Sequence, residues 1–388
     1  MNIPFIDLKE LHTEALRKDI KARIATIIDE AAFAQAKNVE ELERLFGEFQ
    51  GKGVQCLTTS NGTSSLYLAL KAFDIGVGDE VIVSSLTWVA THQAIILAGA
   101  TPVVVDCELD TFNIDAELLE QHITCKTRAI MPVHICGNPA DMNAIMDIAD
   151  EKGLVVIEDA CQAHGAEAHL GMGVYEKCGS IGHVGCFSTY PTKNLGGIGE
   201  GGLVTTSDPE TYDLMKAIRF FGKNGPNREA PGVFGGNFKM DEIRAAGLLA
   251  KFPLLDKWQH KRNGVAGTYK EVIDTLDDMD YQEESHGESV YHLFPILTSK
   301  PDEFQAFLEQ DKGIGTFRYF NTLPHEAPGI APHCRVPEET GNAKHIGTHT
   351  IYIPCQPYLK KYEIEYVCDA LEEYRRIGGI NTLFTQVQ

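Results

Sequence analysis

The chain has 388 residues, 43% hydrophobic and 23% charged, enough to bury a sizeable core and too many for one small domain. Its 34 Lys and Arg against 55 Asp and Glu leave a net charge of -21, which opposes attraction to nucleic acid or anionic membrane, so an anionic substrate needs a local basic pocket. No stretch reaches about 18 uninterrupted apolar residues, the start lacks the apolar core of a signal peptide, and ten cysteines without a CxxC pair read as reduced thiols of a cytoplasmic protein with no metal site.

In chain order, Val54 to Leu57 reads as a strand and Ser64-SLYLALKAF as an amphipathic helix after it. Apolar strand-like runs recur at Glu80-VIVS, Thr101-PVVVD, Ala129-IMPVHI, Leu154-VVIED, Gly185-CFST and Gly202-LVTTS, with a second helix at Asp141-MNAIMDIADEKG. This alternation predicts an α/β domain with a mostly parallel sheet, which binds ligands at the carboxyl ends of its strands. Ser207-DPE predicts a capping box for a helix that runs to about Phe221 and is ended by Gly222. Residues 222–237, rich in Gly, Pro and Asn, read as a long loop of the functional or mobile kind. Past Lys251 come a long polar helix, a strand at Tyr291-HLFPIL, a helix at Asp302-EFQAFLEQD and a last helix at Tyr362-EIEYVCDALEEYRR. The expected division is a large domain over residues 1–250 and a smaller α+β domain over 251–388.

Several fragments carry chemistry. The strand Leu154-VVI ends in Glu158 and Asp159, where a carboxylate either meets a ligand or caps a helix. Thr59-SNGTSS joins a strand to a helix, and its small residues form an anion cradle or an ordinary N-cap. Trp88 follows the strand Val81 to Val83 and is either a core residue or a flat surface for a ring. Lys193 stands in CFSTYPTKNLGGIGEGG, between a strand-like run and a glycine-rich turn. Gly197, Gly199 and Gly202 match G-x-G-x-x-G in form only, because a strand and not a helix follows. No GxxxxGK[ST] occurs, which excludes a P-loop. An amine, a carboxylate and an anion cradle are together what pyridoxal 5'-phosphate requires.

The runs SNGTSSLYLAL, TWVAT, VIEDACQAHGA, CFSTYPTKNLGGIGEGGLV and GGNFKMDEIRAA, in this order, resemble the DegT/DnrJ/EryC1/StrS family of sugar aminotransferases, and the likeness extends from IPFIDLK at residue 3 to the last helix. It implies the aspartate aminotransferase type of fold (fold type I) and pyridoxal 5'-phosphate as cofactor. By this resemblance Lys193 is the Schiff-base lysine, Asp159 the partner of the pyridine nitrogen, and Gln162 faces the ring hydroxyl. Gly62, Thr63 and Ser188 hold the phosphate, and Asn237 reaches it from the neighbouring subunit of a homodimer with shared active sites.

The reaction expected moves an amino group from glutamate to a nucleotide-linked keto-sugar. A keto-cyclitol substrate, a sugar 3-dehydratase and a non-catalytic sensor are the alternatives, and the dehydratase branch has histidine where this chain has Lys193. Three places depart from the family's pattern: Cys161 replaces an alanine, Ala36 a glycine in Phe33-AQAKNV, and Arg318 a histidine in Arg318-YFNTLPH, which keeps His325. Arg318 and His325 are the candidate substrate contacts, an arginine being suited to clasp a phosphate or carboxylate.

Overall fold

A computed structural model describes residues 1–34, 36–223 and 232–378 of the chain. Its first strands are β1 (Gln55–Thr59), β2 (Glu80–Ser84), β3 (Thr101–Val105), β4 (Thr127–Met131) and β5 (Val155–Asp159). A short hairpin, β6 (Glu167–His169) and β7 (Tyr175–Lys177), precedes β8 (Val184–Ser188) and β9 (Gly202–Thr206). Seven of these form the large sheet, in the order β1-β9-β8-β5-β4-β2-β3. Neighbours from β8 to β3 pair in parallel, as expected, whereas β9 is antiparallel to both β1 and β8. The reason lies in the connections. Helices such as Val89–Ala98 and Met142–Lys152 carry the chain back to begin a parallel strand, but no helix separates β8 from β9, and a short link joins antiparallel neighbours only.

Both faces of the sheet are covered, as parallel strands require. Val81, Val83 and Ile157 pack under the helix Gly62–Ala72 through Leu66 and Leu70, while the alternate residues Ile82 and Val156 pack with Phe46 and Met142 on the other face. The helix Pro209–Arg219 starts one residue later than the capping box implied. Asp208, not Ser207, accepts the N–H groups of Glu210 and Thr211, because Pro209 takes the first helical position. The helix ends at Arg219 with Phe220 as its C-cap; Phe221 (φ +56), not Gly222, takes the first left-handed position, and Gly222 (φ +70) completes the turn by donating its N–H to the Ala217 carbonyl (2.9 Å). Of the loop expected over 222–237, residues 224–231 lie outside the described residues, as does Gln35 of Phe33-AQAKNV.

The smaller unit is built on β10 (Met279–Tyr281), β12 (Phe294–Thr298) and β13 (Thr350–Ile353), all antiparallel; β11 (Gly287–Glu288) instead joins the hairpin β6-β7. Tyr269, Phe294, Phe304 and Leu371 fill its core, and Ile3 belongs to the same cluster and bridges Ile314. The first residues of the chain therefore pack with this unit. It is also tied to the large sheet: Arg335 bridges Val103 of β3, and Asp106, just beyond β3, accepts the N–H groups of Asn342 and Ala343 at the start of the helix Gly341–His349 (2.9 and 3.0 Å). Among the described residues no helix is long and apolar enough to cross a membrane.

Candidate active site

β5 ends in two carboxylates that face opposite ways, as strand alternation demands. Glu158 is fully buried and accepts the N–H groups of Gly179, Ile181 and Gly182 (2.6, 2.8 and 2.6 Å), with His134 Nε2 at 3.0 Å. It holds a loop. Asp159 lies on the other side, where its Oδ2 accepts from Thr91 Oγ1 (2.8 Å) and its Oδ1 from the Cys161 N–H (3.2 Å).

The cradle is built at the ends of β1 and β8. Asn61 caps the helix Gly62–Ala72 by accepting the Ser64 N–H (2.8 Å), which leaves the first-turn N–H groups of Gly62 and Thr63 without intrahelical partners. A Cβ on Gly62 would stand 2.8 Å from Ser188 Cβ and 3.0 Å from Cys161 Sγ, so only glycine lets the helix begin against the end of β8. Gly202 pairs with both Thr59 and Ser188, and a Cβ there would lie 2.6 Å from the Asn61 carbonyl oxygen. The glycine run after Lys193 thus makes room for the turn that begins the cradle.

Lys193 lies in the link from β8 to β9, with its N–H on the Tyr190 carbonyl (2.9 Å). Desolvation lowers its pKa against the opposing pull of Cys161, Asp159 and Cys136. Two histidines that sequence reasoning missed lie within reach of its charge. Burial, reinforced by the Lys193 charge, pushes His164 down to about 3 and His292 well below its ordinary value, so both stay neutral. The one signal for His164 is its place in VIEDACQAHGA, two residues past Gln162. Gln162 is buried and its Oε1 accepts the Cys136 N–H (2.6 Å), which leaves its NH₂ end to meet a ligand. Trp88 is 54% exposed at the N-cap of the helix Val89–Ala98, although a tryptophan in the core would be covered.

The remaining candidates are placed elsewhere. The Arg318 guanidinium is committed to the Asp302 carboxylate and the Thr348 carbonyl, and among the described residues none of its hydrogen bonds runs towards Lys193. His325 is buried, with Nε2 at 3.0 Å from Thr340 Oγ1 and its ring 6.3 Å from that of His92 on the Trp88 helix. Asn237 is exposed and bridges Phe220, while the carbonyl of the adjacent Phe238 accepts the Ser60 N–H (2.7 Å).

A helix start whose free space a single Cβ would fill, a buried carboxylate, an exposed tryptophan and a desolvated lysine fit pyridoxal 5'-phosphate. Fold and site define a pyridoxal-phosphate-dependent aminotransferase of fold type I. The chain belongs to the DegT/DnrJ/EryC1/StrS aminotransferase family, whose sequence pattern matches residues 14–372. It is 36% identical over 382 residues to a pleiotropic regulatory protein of Geobacillus stearothermophilus, covering 97% of this chain and 99% of that protein. It is 34% identical over 373 residues to dTDP-3-amino-3,4,6-trideoxy-alpha-D-glucose transaminase of Streptomyces venezuelae, covering 96% of each. The crystal structure of S. venezuelae DesV in complex with a ketimine intermediate superposes with a TM-score of 0.90 at 33% identity, over 96% of this chain and 98% of that one.

Proposed function

We propose that this enzyme transfers the amino group of glutamate to the carbonyl carbon of a keto-sugar carried on a nucleotide, releasing 2-oxoglutarate and an amino-sugar. The reading includes a cytoplasmic homodimer whose cofactor sites lie in the large unit built on the seven-stranded sheet. The relative that acts on a dTDP-linked amino-sugar supports the substrate class. The observation that carries the site is the place of Cys161. Its N–H donates to Asp159, its Sγ marks the space beside Gly62, and it is electrostatically coupled to Lys193, so carboxylate, cradle and amine surround one point.

Pyridoxal phosphate, when bound, supplies the electron sink that lets the donor's α-carbon release a proton. The chain's own residues do the rest. Lys193, desolvated and lowered in pKa, takes that proton and returns it on the way to product. Asp159 holds a proton on the ring nitrogen, and Trp88 and Gln162 orient the ring. Gly62, Thr63 and Ser188 bind the phosphate with N–H and hydroxyl donors at a helix N-terminus, and Asn237 of the second subunit completes that site.

Borohydride treatment of the holoenzyme followed by peptide mapping should place the pyridoxyl group on Lys193. Glutamate alone should convert the cofactor to its amine form, and a nucleotide-linked keto-sugar should convert it back. Label on another lysine removes Lys193 from its role, and recovery with free keto-cyclitols but not nucleotide-linked sugars removes the substrate class.

A further inference from the structure

Two threonines in the TWVAT run stand in line behind Asp159. Thr91 Oγ1 lies 2.8 Å from Asp159 Oδ2 and 2.7 Å from Thr87 Oγ1, and both threonines are 1% exposed. We propose that Thr87 and Thr91 form an ordered hydroxyl relay that fixes the Asp159 carboxylate for the cofactor, with Thr91 acting as a positioning residue.

Proton counting sets the direction of the relay. Thr91 has one hydroxyl proton and three acceptors in reach, Asp159 Oδ2, Thr87 Oγ1 at 2.7 Å and the Trp88 carbonyl at 3.0 Å. A carboxylate accepts more strongly than a neutral hydroxyl or carbonyl, so the proton goes to Asp159. Thr91 is then an acceptor towards Thr87, which must donate. Asp159 is thereby held at both oxygens, by Thr91 on Oδ2 and by the Cys161 N–H on Oδ1, and cannot turn without breaking one of these bonds.

Sequence spacing makes this possible. Thr87 stands just before the N-cap Trp88 and Thr91 in the first turn of the helix Val89–Ala98, and of the two χ1 rotamers open to a helical threonine Thr91 takes the one that brings its Oγ1 within 3.0 Å of the Trp88 carbonyl three residues back. Trp88 caps the same helix. One element therefore sets both the surface that covers the cofactor ring and the hydroxyl that aims the carboxylate beneath it.

The inference rests on the reading that Asp159 meets the ring nitrogen, and the experiment separates the two. Binding of pyridoxamine 5'-phosphate, which needs no lysine linkage, is titrated by fluorescence on the apo forms of wild type, Asp159→Asn, Thr91→Val, Thr91→Ser, Thr87→Val and the double valine variant. Thr91→Val preserves shape and removes the donor. It should weaken binding by about 10-fold, the loss expected for one hydrogen bond to a charged group, and move the pH at which the bound cofactor's absorption changes. Thr91→Ser should restore both. Thr87→Val should weaken binding less, and its effect should vanish when Thr91 is already valine.

Binding by Thr91→Val within twofold of wild type, while Asp159→Asn binds poorly, overturns the relay and leaves Asp159 in place. Full additivity of the two valine substitutions also overturns it. Unchanged binding by Asp159→Asn overturns both readings.

Discussion

The Nζ of Lys251 lies 2.7 Å from the carbonyl oxygen of Gly196 and 3.2 Å from that of Gly197, just past Lys193. Lys251 is fully buried, and desolvation lowers its pKa to about 8. The unfolded chain therefore holds this proton more tightly than the folded one. Below pH 8 the lysine is charged in both states and its burial penalty is complete; between pH 8 and about 10.5 the unfolded chain binds more proton, and stability rises with pH. His12 is the titrating neighbour coupled to Lys251, and its own pKa is lowered from 6.5, outside that window. Urea unfolding of wild type and Lys251→Met across pH 7 to 10.5 should show wild type gaining on the variant by up to ~3 kcal/mol. Parallel profiles would show that Lys251 is not desolvated.

Gly62→Ala tests the cradle by shape alone. The added Cβ meets Ser188 Cβ at 2.8 Å, Ser188 Cα at 3.2 Å and Cys161 Sγ at 3.0 Å, and two of these atoms cannot yield without moving β8. Overpacking of this kind costs about 1 to 3 kcal/mol, equivalent to roughly 5- to 150-fold in cofactor affinity if the helix start retreats. Gly264→Ala is the comparison, since nothing lies within 4 Å of its Cβ position in the helix Leu255–Ile273. It should stabilise the protein by about 0.5 to 1 kcal/mol and leave cofactor binding unchanged. Wild-type cofactor affinity in Gly62→Ala would remove the close approach from the argument.

Much of this was legible in the sequence because the signals are local. Alternating strand and helix patterns gave the parallel sheet, and the absence of a helix between Gly185-CFST and Gly202-LVTTS already contained the antiparallel return that carries Lys193. What stayed hidden depends on contacts between distant segments. Glu242 in GGNFKMDE is fully buried and accepts the N–H groups of Ala36, Asn38 and Val39 (2.6, 2.9 and 3.2 Å), capping a helix some 200 residues earlier in the chain. No pattern near Glu242 announces that. Arg318 looks in sequence like a free cation, and only the packing of the smaller unit shows that Asp302 and Thr348 take it.

The adjacent acids of β5 should fail in different ways. Asp159→Asn changes no packing and removes the charge beside the proposed ring nitrogen. Losing one partner of a buried pair costs about 3 to 5 kcal/mol, or roughly two to four orders of magnitude in rate where the loss falls on the transition state. Glu158→Gln instead turns its NH₂ group either towards the N–H of Gly179 beside His134 or towards the N–H groups of Ile181 and Gly182, which should lower the melting temperature while the folded fraction keeps near wild-type turnover. More than a tenth of wild-type kcat in Asp159→Asn, or an inactive yet fully stable Glu158→Gln, would reverse the assignment.

The proposal that Asn237 serves the neighbouring subunit can be decided by mixing two inactive enzymes. Asn237 is exposed in the single chain, with the exposed rings of Phe221 and Phe234 nearby in sequence, as suits a surface that meets another copy. The hydrogen bond from Ser60 to the Phe238 carbonyl also ties this segment to the cradle of its own chain, so a role within one subunit is a real competitor. Asn237→Asp alters shape little and sets a negative charge against the phosphate, which should weaken cofactor binding. Lys193→Ala removes the linkage. If Asn237 acts across the interface, a heterodimer of these two variants has one site with both defects and one with neither. Subunit exchange should then restore activity towards one working site per heterodimer. If Asn237 serves its own chain, every heterodimer site keeps one defect and stays inactive. Exchange demonstrated by mass spectrometry without return of turnover would assign Asn237 to the loop of its own subunit.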